Sequence, residues 1–169
     1  MNANKPSKRD NNTWAPVTSF RILAHVLLPL LGVLCAKEAK QVMLRFHDYH
    51  LQKYEVTDHG KTVKLYLGFG YPGKEIDFSE ITFTEVAIYH FVHTAYSIIT
   101  DIESVPISSL LEEQKDNIQN WNRYYGVDMW KDDLETTVNY FESNNYSGWY
   151  IESAIGFSGF VVAKSVNGT

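Results

Sequence analysis

Two His-x-x-His pairs, His47/His50 and His90/His93, are the first candidates for chemistry in this 169-residue chain, because imidazoles three apart can chelate zinc from one helix face. Both pairs fall in stretches that alternate like strands, where residues three apart point to opposite faces. Coordination by either pair would need a loop or a bulge, so no metal site is expected. There is no His-Glu-x-x-His, no EF-hand spacing and no Cys ligand in residues 43–169 to supply another. Asp101 and Glu103 lie two apart and so share a strand face. Two carboxylates placed in this way can push each other's pKa apart and divide the roles of acid and base. The plainer reading is a solvated acidic face next to Glu112 and Glu113.

Other reactive groups find structural explanations. Residues 43–169 contain no cysteine for nucleophilic work. Ser108 and Ser109 open a helical stretch as caps, and no Gly-x-Ser-x-Gly elbow occurs. Gly156 and Gly159 precede neither a Lys-Ser/Thr pair nor a helix, so they read as turn or bulge glycines rather than a phosphate cradle. Asp128, Asp132 and Asp133 suit the positive end of a helix. No cofactor is expected.

The elements that must position these groups follow from periodicity. Val63, Leu65, Leu67 and Phe69 alternate with Thr62, Lys64, Tyr66 and Gly68, which predicts a strand with one wet face. His50 to Thr57 predicts its companion, joined through a turn at Asp58-His59-Gly60-Lys61. From Glu75 to His93 the apolar parity changes twice, between Phe78 and Ile81 and again between Phe83 and Val86. That predicts either a β-bulge at each slip or two strands with a tight connection. A further strand runs from Ile98 to Val105, and Pro106 ends it. Ile107, Leu110, Leu111, Ile118, Trp121 and Tyr125 then predict one helix before Gly126, and Lys131 to Ser143 predicts a second. The closing stretch predicts a hairpin, Trp149–Ile155 and Gly159–Lys164, about a Gly156–Ser158 turn. Strands, two helices and strands again imply an α+β fold, an antiparallel sheet with two helices packed on one face.

Charge divides the chain at Met43. Residues 1–42 carry six Lys/Arg against two Asp/Glu, whereas residues 43–169 carry nine against eighteen, a net charge of −9. The basic leader holds an apolar run, Ile22 to Ala36, and the chain's one cysteine, Cys35. Three readings compete for it. A secretory signal is suggested by the basic residues before the apolar run and by Leu34 and Ala36 at cleavage spacing, although His25 and Pro29 interrupt it. A membrane anchor would need about 20 apolar residues, more than the run supplies. The third reading, slightly favoured, is upstream sequence read in frame, with Met43 as the working start and a cytoplasmic protein as the result. Residues 43–169 form a single domain on any of the three, since no linker, repeat or low-complexity run divides them.

A domain at −9 repels a polyanion, and its basic residues form no stripe, so nucleic-acid binding is not expected. Eleven tyrosines and four tryptophans in the whole chain point instead to a protein-binding surface, because exposed Tyr and Trp anchor interfaces. The negative charge would steer a basic partner. The residues assigned to that surface are Asp101, Glu103, Glu112, Glu113, Trp121 and Trp149. Exposed edge strands would also allow a homodimer.

Phe46-His-Asp-Tyr-His50 and the closing Gly148-Trp-Tyr-Ile-Glu-Ser-Ala-Ile-Gly-Phe-Ser-Gly-Phe-Val-Val-Ala-Lys164 resemble small uncharacterised bacterial α+β proteins, some of immunity-protein type. The resemblance spans residues 43–169 and implies a cytosolic protein that acts by binding. It supplies no catalytic residue. Function is therefore expected to be non-catalytic binding of a basic protein. The alternatives are a small enzyme using the Asp101/Glu103 face with a nearby histidine, and an exported ligand-binding protein.

Overall fold

The chain divides into two units, Met1–Glu38 and Ala39–Thr169. Within the second, the computed structural model describes residues 43–169, so the signal, anchor and upstream readings of residues 1–42 lie outside the described residues. The domain is α+β. Six strands, β1 (Met43–Thr57), β2 (Thr62–Tyr71), β3 (Lys74–Thr84), β4 (Ile88–Val105), β5 (Ser147–Ala163) and β6 (Ser165–Gly168), form one antiparallel sheet in the order β5-β4-β1-β2-β3-β6. Three helices, α1 (Ile107–Glu113), α2 (Lys115–Tyr125) and α3 (Leu134–Ser143), are inserted between β4 and β5.

β5 and β6 stand at opposite ends of the strand order, yet a single residue, Lys164, joins them. The sheet must therefore curl until its two ends meet. Backbone bonds fasten the junction: Lys164 N–H donates to Thr84 O at 3.2 Å, and Ala87 N–H to Val162 O at 2.8 Å.

Strand alternation then sorts side chains into two cores. Val63, Leu65, Leu67, Ile81, Phe83, Ile99, Ile102, Trp149, Ile151, Phe157 and Val161 fill the inside of the curl. Phe160, Val162 and Ile88, on the opposite face of β4–β5, pack under Leu110, Leu111, Ile118, Trp130 and Phe141 from the helical insertion. Each large apolar side chain so buried contributes about 1.5–3 kcal/mol. The helices gather over this β4–β5 end instead of lying across one face of the whole sheet.

Several expectations are corrected. The helix predicted from Ile107 to Tyr125 is two, because Gln114, at φ −93° and ψ 8°, lies outside both. Pro106, not a serine, takes the cap position of α1, and Ser108 and Ser109 lie inside the helix. α3 begins at Leu134 rather than Lys131, with Asp133 accepting the Thr136 N–H at 2.7 Å as its cap. The predicted hairpin about Gly156–Ser158 does not form, since β5 runs through it as one strand. A Cβ on Gly156 would lie 2.1 Å from Tyr96 O, and one on Gly159 would lie 2.0 Å from His90 O. These glycines let β4 and β5 approach closely.

The first parity change after Glu75 has a different cause from the one expected. Ile76 and Phe78 face solvent, 79% and 63% exposed, while Ile81 and Phe83 are fully buried. The bulge lies earlier: Phe69 pairs with Asp77 and Gly70 with Glu75, leaving Ile76 as the extra residue. Asp77 also accepts the N–H of Phe78 through its side chain at 2.9 Å. The second parity change is the tight β3–β4 connection, where Glu85 takes φ 52°.

Candidate functional site

On β4 and β5, Asp101 stands opposite Glu152 and Glu103 opposite Tyr150. Directly opposed residues share a face, so the carboxylates expected on β4 continue onto β5. Glu152 and Tyr150 line a cleft of 640 Å³ between this face and the α1–α2 junction, which contributes Glu113, Gln114 and Asn117. His90, Val92 and Phe160 line its far end. Cleft and acidic face therefore adjoin.

A tyrosine hydroxyl ties the two walls of the cleft together. The Tyr150 hydroxyl donates to Glu113 Oε2 at 2.8 Å, linking β5 to the last residue of α1. Burial, followed by this bond to a carboxylate, pushes the Tyr150 phenol up to about 12. The register sets Asp101 against Glu152 of β5 on one flank, a like-charge pair, and against Arg45 of β1 on the other, so a basic residue already stands opposite that carboxylate in the sheet.

The outer face of β1–β3 is built differently. Lys53 pairs with Glu55 and Lys64 with Glu80, each at 2.7 Å, and the Tyr66 hydroxyl donates to Glu55 at 3.0 Å. These bonds raise both lysines and lower both glutamates from their ordinary values. Positive and negative charge alternate there, whereas no Lys or Arg is among the described residues lining the cleft.

The six residues expected at a binding surface thus divide. Glu113 lines the cleft, Asp101 stands across the strand pair from its Glu152, Glu103 lines a different hollow with Pro106 and Glu142, and Glu112 is exposed on α1 beside Glu113. Trp121 is half-buried behind it, its ring 5.2 Å from His90 and stacked on Phe160 at 6.3 Å. Trp149 points the other way, into the curl: it is 5% exposed and meets Phe83 edge-on at 5.7 Å. It is a core residue, and its Nε1–H is buried with no hydrogen-bond partner among the described residues.

The histidines separate as strand geometry requires. His90 lies against Trp121 on the helical side, while His93 is exposed and meets the buried Phe157 edge-on at 5.4 Å on the other face. His47 is exposed, and His50 lines a second hollow with Phe69 and Tyr71. Among the described residues, no group of three His, Cys, Asp or Glu is placed to hold a metal. None of their helices is long and apolar enough to cross a membrane.

Comparison with known proteins adds little to this geometry. No family model matches the sequence, and no curated protein matches it. Among solved structures, an uncharacterised protein from Neisseria gonorrhoeae is similar at 12% identity, over 76% of this chain and 95% of that one, with a TM-score of 0.41. A likeness at that level carries no argument about activity.

Sequence reasoning missed Tyr150, Glu152 and His90 as members of one site. Tyr150 and Glu152 alternate with buried Trp149 and Ile151, so period two marks them as outward-facing. What was lacking was the pairing of β5 with β4 in this register, a contact between segments some fifty residues apart.

Proposed function

We propose that this domain is a non-catalytic binding protein of bacterial immunity type that captures a basic protein partner on the β4–β5 face beside the cleft. The supporting observation is the contrast between faces: lysines are paired with glutamates on β1–β3, whereas Glu113 and Glu152 line a cleft with no Lys or Arg among the described residues of its wall. Such a surface steers a cationic partner and speeds its capture. Co-expression with the product of the adjacent gene tests this reading. A complex that weakens as salt rises supports it, and a salt-independent complex, or none, counts against it.

A second reading, a small enzyme using Asp101 and Glu103, is favoured by His90 lying in the same cleft as Glu152. A folded Asp101→Asn variant that loses a measured activity would support it. The binding reading goes with a cytoplasmic protein that begins at Met43, and an exported ligand-binding protein is the alternative. Mass spectrometry of the mature N-terminus separates the two. A homodimer through the edge of β3 is a poor fit, since the bulge at Ile76 and the Asp77 cap on Phe78 blunt that edge.

A further inference from the structure

We propose that the cleft between β5 and the α1–α2 junction seats one arginine side chain of the protein partner, as the anchor of the complex. This inference rests on the binding reading above and names the group that enters the site. Three features of the cleft converge on a guanidinium. Its carboxylates stand on two different walls, Glu113 at the end of α1 and Glu152 on β5, so an occupant must reach both. A planar fork with five donors does this where a compact ammonium serves one carboxylate at a time. Tyr150 lines the same cleft, and its hydroxyl donates to Glu113 at 2.8 Å, which holds the ring in place. A guanidinium stacks on such a ring face.

The helical wall completes the fit. Asn117 donates its side-chain N–H to Gln114 Oε1 at 3.0 Å, which leaves the Asn117 amide oxygen to accept an N–H that the carboxylates leave over. The apolar end, formed by Val92 and Phe160, receives the three-carbon stem. Among the described residues that line the cleft, none is Lys or Arg. At 640 Å³ the cleft has room for one such side chain and the backbone that carries it.

The experiment uses the full chain and two blocked tripeptides, Gly-Arg-Gly and Gly-Lys-Gly, titrated at fixed ionic strength and followed by Trp121 fluorescence and amide chemical shifts. The expected result is saturable binding of the arginine peptide, several-fold tighter than the lysine peptide. Glu152→Gln and Glu113→Gln should each weaken it about tenfold, equivalent to about 1.4 kcal/mol. Glu142→Gln, outside this cleft, should leave it unchanged. Circular dichroism confirms that each variant is folded. Equal binding of the two peptides, absence of saturation, or indifference to Glu152→Gln would overturn the anchor. If the peptide does not bind while a salt-sensitive complex with the partner protein still forms, the anchor alone is lost. If both fail, the binding reading falls with it.

Discussion

Tyr150 and Glu113 are joined by a 2.8 Å hydrogen bond between a strand and a helix that are 37 residues apart in the chain. This bond ties the acidic sheet face to the helical wall of the cleft. Tyr150→Phe keeps the ring and removes the donor, so it should cost about 0.5–1.5 kcal/mol, read from the denaturant midpoint. Faster amide exchange in α1, without loss of the fold, should accompany it.

The same residue predicts an alkaline transition. The fold prefers the protonated phenol, whose value is raised to about 12. Its contribution is therefore whole below the ordinary tyrosine value of about 10 and is lost as pH climbs from there through the folded value. Absorbance at the phenolate band should show Tyr150 among the last tyrosines to ionise. Stability should fall across that window, and Tyr150→Phe should flatten the fall.

Trp149 should behave as a core residue with an unmet donor. Trp149→Ala should cost about 3–5 kcal/mol, as large aromatic truncations do. Trp149→Phe should cost less than half of that, because it also removes a buried N–H whose lack of a partner is worth about 1–3 kcal/mol. Urea denaturation of both variants distinguishes this from a contact role, in which stability would barely change.

Two glycines should respond unequally to alanine. At Gly159 the new methyl would meet the backbone oxygen of His90 at 2.0 Å, so Gly159→Ala should cost about 3 kcal/mol. Gly60, at φ +92° with nothing within 4 Å, suffers only the backbone penalty, and Gly60→Ala should cost about 1 kcal/mol. Thermal midpoints of the two variants check the order.

Asp133 caps α3 through the Thr136 N–H, and that bond holds its carboxyl below the usual range. Its contribution is present above the unfolded value and is lost as pH falls through the folded one. Asp133→Ala should lower helical signal at neutral pH and show a shallower acid transition than the parent.

The legible part of the fold was local. The alternation from Thr62 to Phe69 and the Gly60 turn need only neighbours, and β2 and its turn formed as read. The β5 segment misled because Gly156 and Gly159 look the same in sequence whether they turn a chain or admit a neighbouring strand. Only the backbone of β4 decides between the two. Gln114 likewise gives no local sign of the break between α1 and α2. Asp101, Glu103 and Glu113 were legible as charges, but the cleft needed the partnership of β5 with β4, which is set by packing across the helical insertion.

The wrap that lets Lys164 bridge the extremes of the sheet also dictates an order of assembly. β1, β2 and β3 are successive hairpin partners and can zip together from short-range contacts. β4 acquires β5 only after more than forty intervening residues have condensed into helices, and β3 receives β6 from still further along the chain. Closing such long loops before they are rewarded slows the search. Refolding should therefore take milliseconds to seconds rather than microseconds, with the Lys164 clasp as the last piece to lock.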